Sequence, residues 1–347
     1  MNPLQPPPPT AAEQGGSGTD ISALHPDIIA THILTRLDGP TLASTASASS
    51  ALRRLSSQAE LWLDKCHSVW PSTADPSITN AISAFPNGGP RAFFADSFPL
   101  PGVVGPPGSS LPQPVELISA VDIWYKDALI FSGVNVTETW SAWFRHWLFR
   151  VDLVDPWDAD LVPVRCLDEV DTWSVRLMED LTLSWILIDP ASMRAVNLSS
   201  QKPVFVQPHW PADEVRAMFA SILPAAGAGP ALCPIMVTVG TDHGGEPHVR
   251  EVGMQMEDFD GNVLDGEDSL GILQTALEGK RGNGARRVEE SRRRFKEFLD
   301  LKEKREWRKL RAKWAFKASA FVAFSFSLSC IVRLLVRNGW TKNKVQT

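Results

Sequence analysis

Three stretches rich in proline and glycine divide the chain and limit how far any helix or strand can run. Residues 1–20 contain five prolines and three glycines, residues 99–114 contain six prolines and three glycines, and residues 278–285 contain three glycines. Proline lacks the backbone N–H that helices and sheets use, and glycine loses much conformational freedom when it is ordered. The pattern predicts a disordered N-terminal segment (1–20), a linker (99–114) and a break before a separate C-terminal tail.

The net charge of −6 conceals two parts of opposite sign. From residue 280 to the end there are 20 Lys and Arg against 6 Asp and Glu, so residues 1–279 hold 14 basic and 34 acidic side chains. An acidic body repels phosphates, and we therefore expect no nucleic-acid partner. The four cysteines, Cys66, Cys166, Cys233 and Cys330, form no Cys-x-x-Cys pair, which argues against a disulfide scaffold or a zinc ribbon.

Residues 21–70 have the periodicity of short helices. In Pro26–Leu37, Ile29 and Ile33 recur with Leu37 at four-residue spacing, and Gly39 is expected to close this helix. Pro26 and the acidic Asp27 suit the first turn of a helix. Further short helices are expected up to residue 70, followed by a helical extension over residues 71–98.

Residues 115–277 change to the periodicity of strands. Short apolar or alternating runs occur at Val121/Ile123, Leu181–Asp189, Val204–Gln207, Ile235–Thr241 and Val249–Met256. Such closely spaced strands with few helices predict an antiparallel sheet domain, either a sandwich or a curved sheet. The expected fold class for the whole chain is therefore α+β.

The helical segment contains a recognisable motif, made up of Leu24-His25-Pro26-Asp27-Ile28-Ile29, Ile33-Leu34, Arg36-Leu37, Asp38-Gly39, Leu42-Ala43, Leu52, Leu55 and Leu61-Trp62. This motif resembles an F-box. The family usually carries Val-Cys-x-x-Trp in the middle of the motif, whereas this chain has the small residues Ala48-Ser49-Ser50-Ala51-Leu52. Two later phrases, Leu183–Pro190 and Ala195–Ser200, resemble a plant F-box subfamily.

The resemblance implies the substrate receptor of a Skp–cullin–F-box ubiquitin ligase, a non-catalytic subunit. About three short helices bury little area, so their remaining apolar surface suits a Skp-type adaptor that in turn holds a cullin. The residues expected at the adaptor are Leu24, Pro26, Ile29, Ile33, Leu34, Leu37, Leu42, Leu61 and Trp62. An unknown target protein is expected on the strand domain, with Trp157, Trp173 and Trp210 as candidate contacts. The alternative is a membrane-associated F-box-like scaffold, or a carbohydrate- or peptide-binding protein, that acts outside a ligase.

Other chemistry has little support in the residues. His243/His248 and Cys66-His67 have no second ligand pair at zinc-finger spacing, so no metal and no cofactor are expected. An acidic cluster with interleaved tryptophans runs from Asp152 to Trp173, and it suits a basic patch on a target better than acid–base catalysis or calcium. A hydrolase hidden in the strand domain is the enzymatic alternative.

The tail predicts a basic helix over residues 286–317, a candidate transmembrane helix over 318–336 and a short tail over 337–347. Residues 318–336 contain one charge, Arg333, and span about 28 Å as a helix, close to the bilayer core. With the basic excess before this segment, the body is expected on the cytoplasmic face of a membrane, in the layout of a tail anchor. The alternatives are a buried terminal helix of the soluble body, and a nuclear or cytosolic protein whose Arg292–Arg294 run is an import signal.

Overall fold

The computed structural model describes residues 24–102, 112–154, 170–209, 214–225, 229–241, 246–282 and 286–343, without the side chains of residues 170–173 and 334–343. The chain divides into two compact units, Met1–Phe94 and Ala95–Thr347. The first unit is helical, and the second holds two antiparallel sheets and a long C-terminal helix. The predicted α+β class is confirmed.

The first unit is a succession of short helices. The chain enters through α1 (Pro26–Ile28), which continues as a π-helical turn (Ile29–Ile33) and a 3-10 turn (Leu34–Arg36). There follow α2 (Gly39–Thr45), α3 (Ser50–Ser56), α4 (Ala59–Val69), a 3-10 turn (Pro71–Ala74), α5 (Pro76–Ala84) and α6 (Pro90–Ser97), within which the boundary between the units falls.

Gly39 begins a helix and does not close one, so that expectation is wrong. The Asp38 carboxylate caps α2 by accepting a hydrogen bond from the Thr41 N–H at 2.8 Å. The ring of Phe94 packs against Gly39 so closely that a Cβ atom there would lie 2.1 Å from it. Gly39 is therefore a site of close packing, and Pro40 beside it suits the start of a helix.

Aromatic side chains fill the interior of the first unit. Trp62 is 1% exposed and lies 5.3 Å from Phe94 between ring centroids, and its Nε1 donates to the carbonyl of Ser56 at 2.6 Å. Trp70 and Phe85 each meet the Phe93 ring edge-on. These contacts place α4, α5 and α6 around one core.

Nine strands of the second unit form two antiparallel sheets. One sheet has the order β2-β1-β4-β5 and the other β3-β9-β8-β7-β6. The strands are β1 (Glu116–Tyr125), β2 (Ala128–Glu138), β3 (Arg150–Val154), β4 (Leu181–Asp189), β5 (Arg194–Asn197), β6 (Phe205–His209), β7 (Glu214–Leu223), β8 (Ala231–Thr241) and β9 (Pro247–Gln255). The helices of this unit are α7 (Ala142–His146), α8 (Val170–Asp180), α9 (Gly266–Glu278) and α10 (Arg287–Asn343).

Both sheets and α9 contribute to one hydrophobic core. Alternate residues of β4, such as Leu183 and Leu187, belong to the same buried cluster as Phe219 of β7, Ile235 of β8 and Leu273 of α9. A core shared by two sheets corresponds to the sandwich-like expectation and not to a single curved sheet.

The two phrases that resemble the plant subfamily lie on adjacent strands and are joined by buried polar groups. Nδ2 of Asn197 donates to Ser184 Oγ at 2.8 Å, and Ser199 Oγ donates to the Leu183 carbonyl at 2.7 Å. Trp185 is fully buried, and its Nε1 donates to Ser119 Oγ at 3.2 Å. A buried network of this kind is satisfied only when β4 and β5 pair in this register.

The predicted basic helix and the predicted transmembrane helix form the single helix α10. Its base is part of the second unit, because Arg287 is buried and Phe298 packs edge-on against Phe259. Further along, Asp260 holds α10 through Arg305 at 3.2 Å and Lys309 at 2.7 Å. Beyond residue 309 the described side chains of α10 are exposed, which contradicts the alternative of a buried terminal helix.

Candidate functional site

An apolar rim is exposed at the start of the helical unit. Leu24 and Ile28 are 43% and 45% exposed, Pro26 is exposed, and Ile33 and Leu37 are partly exposed. His25 caps the segment by accepting a hydrogen bond at Nδ1 from the Asp27 N–H at 3.3 Å. We call Leu24, Pro26, Ile28, Ile33 and Leu37 the apolar rim.

A π-helical turn follows the exposed Ile28. Within Ile29–Ile33 the hydroxyl of Thr31 donates to the Asp27 carbonyl at 2.7 Å, and Thr35 repeats this bond one turn later. A π turn adds one residue and shifts the phase of the helix, and such turns are frequent at functional sites. Ile29, the first residue of the turn, is buried, while the adjacent Ile28 is exposed.

Five of the nine residues predicted at the adaptor lie inside the unit. These are Ile29, Leu34, Leu42, Leu61 and Trp62, each at most 7% exposed. A buried side chain has little surface left for a partner, so these residues can shape the rim but not form it. The other four, Leu24, Pro26, Ile33 and Leu37, belong to the rim, and their contact with an adaptor stays a prediction. Ile28 lies inside the F-box-like motif but is not among the nine residues expected at the adaptor.

Small residues replace the family's usual tryptophan at the start of α3. Ser49 caps α3 by accepting a hydrogen bond from the Leu52 N–H at 3.2 Å, and Arg53 Nε donates to the Ala46 carbonyl at 3.0 Å. Leu52 is partly buried, whereas Ala48 and Ala51 are exposed. The helix is thus held by its cap and by Arg53 without a large side chain at this point.

A second exposed surface lies on the sheet unit around α7. Its members are Trp140, Trp143, Trp147 and Leu148, which are 59–73% exposed and which we call the tryptophan face. The rings of Trp143 and Trp147 stack at 6.0 Å with an interplanar angle of 12°. Contiguous exposed apolar patches often mark interaction sites on protein surfaces. Trp is among the residues most enriched at binding hot spots.

The backbone beneath the tryptophan face is firmly held. Ser141 caps α7, and Phe144 turns inward to meet Phe149 edge-on at 6.1 Å. The Gly266 N–H donates to the Trp147 carbonyl at 3.0 Å, and a Cβ at Gly266 would lie 2.1 Å from the Phe144 carbonyl oxygen. The face is therefore set in place before any partner arrives, which lowers the entropy lost on binding.

The sequence named three other tryptophans as target contacts. Trp157 and Trp210 lie outside the described residues, and Trp173 belongs to α8 with its side chain undescribed. Their role stays a prediction. The spacing of Trp140, Trp143 and Trp147, which repeats every three or four residues, was the available signal for the tryptophan face.

The candidate metal and catalytic groups lie apart where they are described. Among the described residues no three His, Cys, Asp or Glu side chains are grouped to hold a metal ion. Cys66 is buried and donates to the Pro90 carbonyl at 3.6 Å, and burial raises the pKa of its thiol to about 12. His248 is exposed on β9, while His243 and most of the acidic cluster lie outside the described residues. Asp152 of that cluster pairs with Arg150 at 2.7 Å.

A cavity of about 470 Å³ lies between α9, α10 and the loop after β9. Phe259 and Ile272 give it apolar walls, and its carboxylates are those of Asp258, Asp260, Glu267 and Asp268. The first two are already engaged, since Asp258 accepts hydrogen bonds from the N–H groups of residues 260 and 262 and Asp260 pairs with Arg305. A ligand would meet an apolar wall and the two remaining carboxylates.

Comparison with known proteins places the chain in a class. Three Arabidopsis thaliana proteins are similar to it over most of their length. A probable F-box protein (At2g36090) is 42% identical over 92% of this chain and 94% of its own, and the F-box protein At2g27310 is 38% identical over 92% and 96%. The F-box protein At3g44326 is 41% identical over 83% and 82%. No family model and no solved structure matches the chain.

The helical unit followed by a sheet unit, and these identities, define an F-box protein with a C-terminal sheet domain. The chain belongs to the plant F-box protein family.

Proposed function

We propose that this protein is a substrate receptor of a Skp–cullin–F-box ubiquitin ligase and docks a Skp-type adaptor through the apolar rim. The observation that carries the proposal is the exposure of Leu24 and Ile28 on a chain of the F-box family. Full burial of an exposed leucine or isoleucine side chain contributes about 1.5–3 kcal/mol, and these two side chains, 43% and 45% exposed, would each gain roughly half of that on binding a partner. As the receptor, the protein supplies binding and leaves the chemistry to the other ligase subunits.

The sheet unit is the natural place for the target. Its tryptophan face presents four large apolar side chains on a backbone fixed by Ser141 and Gly266. Arg145 on α7 makes no ion pair within the described residues, and its Nη2 donates only to Gln113. We therefore expect a target segment that combines apolar side chains with a nearby carboxylate.

A double substitution of the rim tests adaptor docking. Leu24→Glu with Ile28→Glu adds two charges to exposed positions and leaves the buried core untouched, whereas charges at Ile29 or Leu34 would unfold the unit. Loss of adaptor and cullin from the purified complex is the expected result. The matched control is Asn80→Glu with Ala84→Glu, two exposed positions on α5. Normal adaptor recovery with the rim variant would exclude docking through the rim, whereas absence of the adaptor from the wild-type complex would favour a role outside a ligase.

Proximity labelling tests the target surface. Wild type is compared with Trp143→Ala/Trp147→Ala and with Phe205→Ala, an exposed aromatic elsewhere on the sheet unit. Proteins labelled by wild type and by Phe205→Ala but lost with the double variant are candidate targets, and adaptor recovery should be unchanged in all three. A labelled set that is identical for all three proteins would rule out the tryptophan face as the target surface.

We also propose that the apolar end of α10 anchors the protein in a membrane with its body in the cytosol. The supporting observation is that this is the one helix among the described residues long and apolar enough to cross a membrane, and that none of its apolar window is buried. Phe316, Phe321, Phe324 and Phe326 are 69–75% exposed, a costly arrangement in water. Carbonate extraction tests the proposal, and recovery of the protein in the soluble fraction would overturn it in favour of a cytosolic or nuclear protein.

A further inference from the structure

The ten residues of α10 just before its apolar segment are unusually basic. Residues 308–317 contain five basic residues and no Asp or Glu, and all ten are exposed. The basic residues are Arg308, Lys309, Arg311, Lys313 and Lys317. We call residues 308–317 the basic collar.

Most charges of the collar are not used inside the protein. Lys309 pairs with Asp260, and Lys317 lies over the Trp314 ring at 5.8 Å. Within the part of the chain that the structure describes, Arg308, Arg311 and Lys313 make no ion pair. Nearer the base of the same helix the pattern differs, because Arg293 and Arg294 both pair with Glu290. The collar therefore has positive charge free for an external partner.

The arrangement of the collar suits a helix that passes through a layer of negative charge. At about 100° per residue the five basic side chains are spread around the helix axis and not confined to one face. Counting back from residue 318 at about 1.5 Å per residue, Lys317, Lys313 and Arg311 lie about 1.5, 7.5 and 10 Å from the apolar segment. Trp314 stands among them, and Trp favours the membrane–water interface.

We propose that the basic collar binds the headgroups of anionic phospholipids. The inference rests on the proposed membrane anchor and goes beyond it by naming the lipid class at the surface. Each Lys or Arg near an anionic surface strengthens association by about 1 kcal/mol, on the order of fivefold. Nucleic acid is the less favoured partner, because the body that precedes residue 280 carries 34 acidic and 14 basic side chains and repels phosphates at long range.

The test uses the full-length protein reconstituted in phosphatidylcholine vesicles with trace spin-labelled phosphatidylserine or phosphatidylcholine. We expect the fraction of spin-labelled lipid that is motionally restricted by the protein to be about threefold or more larger for phosphatidylserine than for phosphatidylcholine. This preference should disappear near 1 M salt, where the screening length is about 3 Å. The triple variant Arg311→Gln/Lys313→Gln/Lys317→Gln should lose the preference but still float with the vesicles. The matched control, Arg292→Gln/Lys296→Gln/Lys304→Gln, removes as many charges from exposed positions nearer the base of α10 and should keep it.

The outcomes separate this inference from the anchor. Two results would each overturn lipid binding by the basic collar and leave the membrane anchor in place. In the first, wild type floats on pure phosphatidylcholine without any preference for phosphatidylserine, and in the second, the triple variant keeps the preference. If the protein floats only on vesicles that contain phosphatidylserine, and salt reverses this, the result overturns the membrane-spanning anchor and supports lipid binding by the basic collar. No flotation on either overturns both. Binding to transfer RNA that only the triple variant loses, without lipid preference, overturns the inference by assigning the collar to nucleic acid.

Discussion

The Nη2 atom of Arg287 donates a hydrogen bond to the main-chain carbonyl of Ser199 at 2.8 Å. Its Nη1 donates to the Phe98 carbonyl, also at 2.8 Å, so one side chain ties the first turn of α10 to two segments that lie far away in the sequence. Burial lowers the pKa of Arg287 to about 10, which leaves the guanidinium charged near neutral pH. The base of the long helix is thus part of the folded sheet unit.

We expect Arg287→Ala to lower the free energy of unfolding by about 2–4 kcal/mol, since it removes two charge-assisted hydrogen bonds and leaves buried carbonyls without donors. Urea denaturation measures the effect. Arg292→Ala, at an exposed position on the next turn, should change the free energy of unfolding by no more than about 0.5 kcal/mol. Equal effects of the two substitutions would contradict the structural role of Arg287.

Two glycines of α9 should respond oppositely to alanine. A Cβ at Gly266 would lie 2.1 Å from the Phe144 carbonyl oxygen, whereas a Cβ at Gly271 meets nothing within 4 Å. We expect Gly266→Ala to destabilise the protein by about 1–3 kcal/mol through overpacking and to displace the tryptophan face. Gly271→Ala should stabilise it by about 0.5–1 kcal/mol, because alanine is the better helix former. Thermal unfolding of both variants measures these changes in stability. A Gly266→Ala variant more stable than wild type would refute the close contact with the Phe144 carbonyl.

Trp62 contributes both volume and a hydrogen bond to the helical unit. Trp62→Ala should cost about 3–5 kcal/mol, since it empties a fully buried site beside Phe94. Trp62→Phe keeps most of the packing but loses the Nε1 bond to Ser56, for a cost of about 1–2 kcal/mol that includes the unpaired carbonyl. Chemical unfolding of the two variants should therefore rank them clearly, and similar losses would mean that the hydrogen bond carries most of the effect.

The cap of α2 predicts that the stability contributed by Asp38 depends on pH. Hydrogen bonds from the side chain and N–H of Thr41 hold the pKa of the Asp38 carboxyl below its ordinary value. A carboxyl with a lowered folded-state pKa stabilises the fold above its unfolded-state pKa, and this contribution disappears as the pH falls through the folded value. Asp38→Ala should cost about 0.5–2 kcal/mol at pH 7 through loss of the cap.

The loss of stability in Asp38→Ala should itself depend on pH, which tests the charge of the cap directly. The difference between wild type and Asp38→Ala should shrink as the pH falls below about 4, and it should be modest because the exposed carboxyl is screened by water. Asp38→Asn keeps a capping oxygen without a titrating group, so the gap between it and Asp38→Ala should stay constant over the same range. A gap between wild type and Asp38→Ala that does not change with pH would show that charge adds nothing to the cap.

Much of the secondary structure could be predicted from the sequence, because it depends on neighbours a few residues apart. Pro26 begins the first helix. The predicted strand Leu181–Asp189 coincides with β4, Ile235–Thr241 lies within β8, and Val249–Met256 overlaps β9. The apolar segment of the tail continues the helix. In the basic part of the tail, acidic residues four positions before basic ones predict the ion pairs Glu289/Arg293, Glu290/Arg294 and Asp300/Lys304. Glu290 and Arg294 pair at 2.7 Å, whereas Arg293 pairs with Glu290 and Glu297, and Asp300 and Lys304, both described, make no ion pair with each other.

Other elements were missed for identifiable reasons. Helix α9 lies in the segment that the sequence predicted to hold closely spaced strands with few helices, and its buried residues Leu270, Leu273 and Leu277 repeat at helical spacing. Gly39 was assigned to a helix end, although the choice between an end and a start depended on Phe94, which lies 55 residues later in the sequence.

By itself the sequence determined the α+β class, the F-box motif, the acidic body with its basic tail and the length of the apolar segment, all of which follow from composition and short-range periodicity. Only the tertiary structure decided which of several similar side chains are used in the core and which face outward. Arg281 and Arg287 read like the rest of a solvated basic tail, yet both are largely buried and donate to carbonyls such as those of Ala195 and Ser199. Trp62 is buried while Trp143 is exposed. Burial depends on partners more than 80 residues away in the case of these arginines, and no local pattern records where such partners come to lie.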